Sequence, residues 1–195
     1  MNIWKYTPYF HEYLEYMYKR ALDLILKTVQ THFEMLEDTL TGALLPAYIK
    51  KIKRRSRRTS KFYFYDVGIE NFLSKRKELV PKTSEFGKAF ENWVFHELKC
   101  FKSYLEPDLE ISYWALTTGF EVDFILNDME IAIEVKACEN IRDLHLKNLR
   151  EVIKDYPKLR ARYVVCLEKH IRVTADRITI LPYQEFINRL WAKDL

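Results

Sequence analysis

With 195 residues, 48% of them hydrophobic and 15% aromatic, the chain has apolar material for one well-filled core, or for one domain with a small appendage. Its longest apolar stretches fall far short of the ~20 residues a membrane-spanning helix needs. Met1-Asn2-Ile3-Trp4-Lys5 has no signal-peptide pattern, so a cytoplasmic protein without a membrane partner is expected. Net charge is only +4, yet residues 50–61 hold eight basic side chains and no acidic one, so the remainder is net acidic and the basicity is local.

In chain order, Phe10, Leu14, Met17, Ala21, Leu24 and Ile25 predict a helix over about 9–27. Phe33, Leu36 and Leu40 predict a second over about 30–40, stopped at Gly42. Residues 44–52 and 61–65 read as strands flanking the basic run, and Asp66 as the cap of a short helix ending at Leu73. Residues 75–83, with Pro81, form a loop and the internal boundary, giving regions 1–80 and 81–195. A long helix follows from an N-cap at Ser84 to about Tyr104, with Phe86, Phe90, Val94, Leu98 and Phe101 as its buried stripe. Strands are predicted at about 110–116, 120–126 and 131–137, a helix at 143–154, strands at 162–167 and 178–181, and a closing helix from Pro182 to about Trp191.

The chemistry concentrates in two adjacent strands. Glu121-Val122-Asp123 begins one and Glu134-Val135-Lys136 ends the next, joined by the short turn Asn127-Asp128-Met129-Glu130. Strict alternation puts Glu121 and Asp123 on one face, with Val122, Phe124 and Leu126 on the other. If Asp123 and Glu134 share a side, they are direct or diagonal cross-strand neighbours, roughly 5–8 Å apart. Two carboxylates beside the Lys136 ammonium form the layout of an oxygen-ligated Mg²⁺ or Mn²⁺ with a lysine next to it. Glu91, on the long helix beside its apolar stripe, could reach the same patch to support a second metal or orient water. The bland reading of Glu134 and Lys136 is a solvated ion pair. Glu121 reads as a surface residue.

Lys50, Lys51, Lys53, Arg54, Arg55, Arg57, Arg58 and Lys61 form either a solvated hairpin tip or a wing on nucleic-acid phosphates, with Ser56, Thr59 and Ser60 as added donors. Tyr63, Tyr65, Tyr113 and Trp114 could stack bases, although alternating strand aromatics are more often core. His96-Glu97-Leu98-Lys99-Cys100 spaces a His and a Cys like a zinc helix but lacks a third ligand. His145 and Lys147, on the helix after the Glu-x-Lys strand, could face the site or only solvent, with solvent the preferred reading. Cys100, Cys138 and Cys166 read as reduced core thiols. Four glycines, with Gly87-Lys88-Ala89 lacking its upstream partner, leave no P-loop and no ATPase activity.

A helix glutamate, then an aspartate, then Glu-x-Lys on the next strand resembles the PD-(D/E)XK, or restriction-endonuclease-like, pattern, with Val122 where its proline stands. Further segments carry a wider likeness: residues 61–68, 86–95, 119–125, 132–136 and 181–186 resemble the C-terminal domain of unknown function of bacterial and archaeal AAA+-like ATP-binding proteins. Phe33 to Leu40 and Leu45 to Tyr48 are similar to the winged-helix connector of those proteins, so the likeness covers roughly residues 30–195. It implies an α/β fold: a restriction-endonuclease-like core, with a mixed central sheet flanked by helices, and an N-terminal helical and winged-helix-like appendage. It places Glu91, Asp123, Glu134 and Lys136 at the nuclease-core positions. The expected function is DNA interaction with Mg²⁺-dependent phosphodiester hydrolysis. The alternative is a non-catalytic regulatory or interaction module that works with an ATPase partner.

Overall fold

A computed structural model describes residues 7–49, 54, 56 and 58–195, with side chains in the first helix described from residue 15. The chain divides into two compact units, residues 1–42 and 43–195.

The first unit is built on one helix, α1 (Thr7–Asp38), where two helices were expected. No glycine interrupts this stretch, and Pro8 sits in the first turn, where its missing N–H costs nothing. Two β-branched residues at and just past the expected gap, Thr28 and Thr31, are absorbed locally. Thr28 Oγ1 donates to the Leu24 carbonyl at 2.9 Å, and Thr31 Oγ1 to the Lys27 carbonyl at 3.0 Å.

The second unit opens with β1 (Gly42–Leu45) and β2 (Lys61–Phe64), which pair, followed by α2 (Val67–Leu73). Asp66 caps α2 by accepting from the Gly68 N–H at 2.6 Å. The helix α3 (Ser84–Tyr104) is capped by Thr83, one residue before the expected Ser84, through the Phe86 N–H. The sequence reading grouped β1, β2 and α2 with the N-terminal region; here they lie in the unit that holds α3 and the main sheet.

That sheet has six strands in the order β3-β4-β5-β6-β8-β7: β3 (Ile111–Ala115), β4 (Glu121–Leu126), β5 (Ile131–Lys136), β6 (Ala161–Cys166), β7 (Arg172–Val173) and β8 (Thr179–Pro182). Strands β3, β4 and β5 form an antiparallel meander; β5, β6 and β8 run parallel, and β7 returns antiparallel on the edge. Gly119, at φ +97°, turns the chain from β3 into β4, and Asn127 and Met129 take left-handed conformations in the next turn. The parallel step from β5 to β6 is bridged by a 3₁₀ turn (Asp143–Leu146) and α4 (Lys147–Asp155); the expected single helix is split there. The last helix is α5 (Tyr183–Trp191), with Pro182 at its N-cap.

Helices cover both faces, so the central strands are apolar on both sides. On one face Phe90, Val94, Phe95 and Leu98 of α3 and Phe186 and Leu190 of α5 pack on Phe124, Ile133, Val135, Val165 and Leu181. On the other, Leu149 and Val152 of α4 pack on Ile125, Ala132, Val164, Cys166 and Ile180. Each fully buried large side chain among these contributes about 1.5–3 kcal/mol. The architecture is mixed α/β, with the meander and the parallel strands meeting at β5.

Candidate functional site

The site is made by an irregularity in β4. Against β3, Ile111 and Ser112 pair with Leu126 and Ile125, while Trp114 and Ala115 pair with Val122 and Glu121. Three steps along β4 thus span two along β3, a bulge centred on Asp123 and Phe124. Strict alternation fails there: Val122 joins Ile125 in the α4-side core, while Phe124 and Leu126 occupy the α3-side core.

The β4–β5 ladder has the same origin. Its register runs Leu126↔Ile131, Ile125↔Ala132, Phe124↔Ile133 and stops, while β5 continues along β6 to Lys136↔Cys166. Beyond Phe124 the Asp123 carboxylate, not the backbone, takes the Val135 N–H, at 2.7 Å. Asp123 and Glu134 are therefore not a simple cross-strand pair. They meet at the mouth of a fork between two strands.

Glu134 is 1% exposed. Its Oε1 binds Lys136 Nζ at 2.7 Å and accepts from Asn148 Nδ2, on α4, at 3.0 Å. Its Oε2 is buried and has no hydrogen-bond partner, as is the Asn148 Oδ1. An anionic oxygen left this way is costly unless a cation completes it. Burial, then the negative charge of Glu134 and of Glu91, raises the Asp123 carboxyl well above its ordinary range, with Lys136 and Lys61 opposing. Burial also raises Glu134, outweighing Lys136 and Asn148. For Lys136, burial pulls down, but Glu134, Asp123 and Glu91 together carry it above its usual value. The four expected site residues thus act on one another in one cluster.

Sequence reasoning missed four members. Lys61, read as part of the basic run, turns instead to Glu121 at 2.6 Å and Glu91 at 3.3 Å. Glu121, read as a surface residue, is only 30% exposed and takes that lysine. Tyr63, next but one to Lys61 along β2, donates its O–H to Glu91 Oε1 and stacks on Phe95 with ring centroids 4.4 Å apart. Asn148 carried no signal, because it sits on the crossover helix with ordinary helical neighbours. The period-2 spacing of Lys61 and Tyr63 was a signal, masked by the charge run that Lys61 closes.

Two carboxylates fit a hard divalent cation. Mg²⁺ is commonly held by one or two protein carboxylates, with waters and substrate phosphates filling the rest. Among the described residues, no group of three or more His, Cys, Asp or Glu side chains is drawn close enough to hold a metal alone. Asp123 and the unpartnered Glu134 Oε2 suit an ion shared with a substrate.

The basic run divides. Arg54 binds Asp155 through Nε and Nη2, at 2.9 and 2.6 Å, and Glu151 through Nη1 at 2.5 Å, so it is tied to α4 and is no free tip cation. Ser56 bridges to Leu116, and Tyr113 O–H donates to the Thr59 carbonyl. Arg58 is exposed, and Lys50, Lys51, Lys53, Arg55 and Arg57 lie outside the described residues. His145 is half-buried, a correction to its expected exposure. Its Nδ1 accepts the Arg142 N–H at 3.1 Å, and burial with Lys136 and Arg142 lowers its pKa. It lines a cleft of about 640 Å³ with Lys82, Phe86, Cys138 and Arg142. His96 and Cys100 approach to 3.3 Å as an isolated pair, without a third ligand among the described residues. Tyr63, Tyr113 and Trp114 are buried core aromatics.

Residues 86–186 match the family described as Domain of unknown function (DUF4143), and residues 17–79 match Domain of unknown function (DUF8612). No curated protein and no solved structure matches the chain. Among the described residues, no helix is long and apolar enough to cross a membrane.

Proposed function

We propose, for a chain that belongs to the DUF4143 family, a DNA-interacting phosphodiesterase with a restriction-endonuclease-like core that works with Mg²⁺ or Mn²⁺. The observation that carries this reading is Glu134: fully buried, one oxygen fixed by Lys136 and Asn148, the other without a partner, and close enough that its charge raises the Asp123 carboxyl. A solvated ion pair has no reason to be sealed in a sheet at the cost of such a group. The order Glu91, Asp123, Glu134, Lys136 along a helix, a meander strand and the first parallel strand supports a PD-(D/E)XK site.

Asp123 and Glu134 Oε2 are the ligands in this reading. A bound divalent ion supplies Lewis acidity toward a phosphoryl oxygen and a coordinated water of lowered pKa. Asn148 and Lys136 hold Glu134 Oε1, which leaves Oε2 as the oxygen that would hold a cation. Lys136 Nζ, beside both carboxylates, donates to the attacking water or to a non-bridging oxygen as negative charge develops. Glu91, held by Tyr63 and Lys61, adds negative potential on the α3 side.

A second reading, a non-catalytic module serving an ATPase, draws on the family's association with AAA-like ATPase proteins and on Glu91 being tied up by protein groups. Incubating pure protein with single- and double-stranded DNA and RNA, with Mg²⁺, Mn²⁺ or chelator, separates the two. Metal-dependent cleavage lost in Glu134→Gln supports the enzyme. DNA binding without cleavage under every metal supports the module.

A further inference from the structure

Beside the carboxylate cluster, the same end of the sheet opens into a cleft. Strands β5 and β6 run parallel and finish side by side, at Lys136 and Cys166. In open α/β sheets, ligands sit in the crevice outside the carboxyl ends of such strands. Here that space is walled by residues between 137 and 145 after β5, by Leu167 after β6, and by Lys82 and Phe86 at the start of α3. Its volume of about 640 Å³ lies within the ~300–1,000 Å³ of pockets that enclose one small ligand. Ala137 follows Lys136 directly, and the Lys136 charge reaches His145. A chain running through the fork would place its next unit in this cleft.

The lining is of two kinds. Phe86 was expected in the buried stripe of α3, yet it is half-buried and belongs to neither core cluster. Phe90 stacks on Trp93 and Phe95 on Phe124, whereas Phe86 has no ring partner among the described residues. Leu144, on the opposite wall, is 61% exposed. With these apolar surfaces stand Lys82 and Arg142, neither in an ion pair among the described residues. Glu139 is the one acid in the lining, so the cleft is net positive. His145 Nδ1 accepts the Arg142 N–H at 3.1 Å, so its neutral ring carries the proton on Nε2 as a remaining donor. An unpaired nucleotide has the complementary parts: a π face for Phe86, and a phosphate for Arg142, Lys82 and the His145 donor. Duplex DNA hides its base faces in the stack and offers phosphates and groove edges, which leaves the apolar part of the cleft unused.

We infer that this cleft holds an unpaired nucleotide next to the phosphodiester at the fork, so that the DNA is single-stranded where it enters the site. The choice of nucleic acid as the ligand rests on the proposed phosphodiesterase reading. Phe86 and Arg142 are binding residues in this account, with no part in the metal cluster.

The test is a fluorescence-anisotropy titration in chelator, with a labelled single-stranded oligothymidylate and a labelled blunt hairpin duplex as probes. Phe86→Ala should weaken single-strand binding by roughly 5- to 100-fold, the loss of one stacked base, and leave hairpin binding unchanged. Arg142→Gln should lower the log–log salt slope on the single strand by ~0.7. Leu144→Glu changes an exposed side chain, so folding is safe, and it too should weaken the single strand alone. Equal losses on both probes, no loss on the single strand, or a folded wild type that binds no single strand would each overturn the inference. The phosphodiesterase reading is judged separately, with Mg²⁺. Selective single-strand binding without cleavage keeps the cleft and defeats the hydrolysis. Cleavage of blunt duplex at the same rate by Phe86→Ala and wild type, with no selective loss on the single strand, keeps the hydrolysis and defeats the cleft.

Discussion

Asp123→Asn should make the metal-free protein more stable and at the same time deprive it of any stabilisation by Mg²⁺. Asp123 is 8% exposed and lies among Glu134 and Glu91, and burial and those charges raise its carboxyl well above the usual range. Asn retains an oxygen for the Val135 N–H, so the 2.7 Å hydrogen bond survives while the charge goes. Relieving a poorly compensated buried charge returns about 1–3 kcal/mol. At ~2–4 °C per kcal/mol for a chain of this size, Tm should rise by roughly 2–12 °C. The pH dependence has a definite sign. Asp123 and Glu134 both titrate above their ordinary values when folded, so between those values and the folded ones the native protein holds more protons than the unfolded chain. Stability therefore falls as pH rises through that window, and it falls less steeply in the Asn variant. Mg²⁺ at about 100 times its Kd adds ~2.7 kcal/mol to wild type and nothing to the variant, which narrows or reverses the order of the two melts. Thermal scans with chelator and with Mg²⁺, from about pH 5 to 8, read all three effects. A variant less stable than wild type in chelator at neutral pH, or an equal Mg²⁺ gain in both proteins, would refute the reasoning.

Three further outcomes are expected. Lys136→Ala should slow cleavage by roughly 10²–10³-fold while leaving DNA affinity nearly unchanged, because its charge matters most as negative charge develops; a matching loss of affinity in a binding titration would make it a binding residue instead. Arg54→Ala unpairs Asp155, 13% exposed, leaves Glu151 to Lys154 alone, and should lower stability by on the order of 1–2 kcal/mol in urea unfolding. An unchanged midpoint would show that the pairs contribute nothing. Replacing Arg55, Arg57 and Arg58 by Gln should flatten the log–log salt dependence of duplex binding by roughly 2–3 if each touches a phosphate. Parallel slopes would end the phosphate-wing reading and leave the proposed metal site untouched.

Much of the larger unit was legible because its signals are local. The stripe Phe90, Val94, Leu98, Phe101 marks α3, and the apolar runs around 122–126 and 131–135 mark strands buried on both faces. Asp123 and Glu134-x-Lys136 stood out because charges inside such runs are rare without a purpose. The geometry joining them was not legible. A bulge in β4 leaves no trace when Val122, Phe124 and Ile125 are apolar whichever way they face. Parity put Val122 and Phe124 on one face, and the bulge sends them to opposite cores. Lys61 was misassigned because seven other cations precede it within the same dozen residues, and only tertiary packing turns it toward Glu121. The edge strand Arg172–Val173 escaped notice because two exposed residues carry no period. The continuity of α1 was missed because its apolar residues read as two separate stripes, Phe10 to Ile25 and Phe33 to Leu40, with none marked between them.

The central claim is hydrolysis of a phosphodiester at the fork between β4 and β5. Its most direct test is the cleavage rate of end-labelled DNA as a function of Mg²⁺ concentration, for wild type beside Asp123→Asn protein shown by its melt to be folded. Cleavage by wild type that saturates with Mg²⁺, stops with chelator and is abolished in the Asn variant is the predicted result. Cleavage that persists in the Asn variant, or wild-type protein that binds DNA and leaves it intact under Mg²⁺ and Mn²⁺ alike, would contradict it.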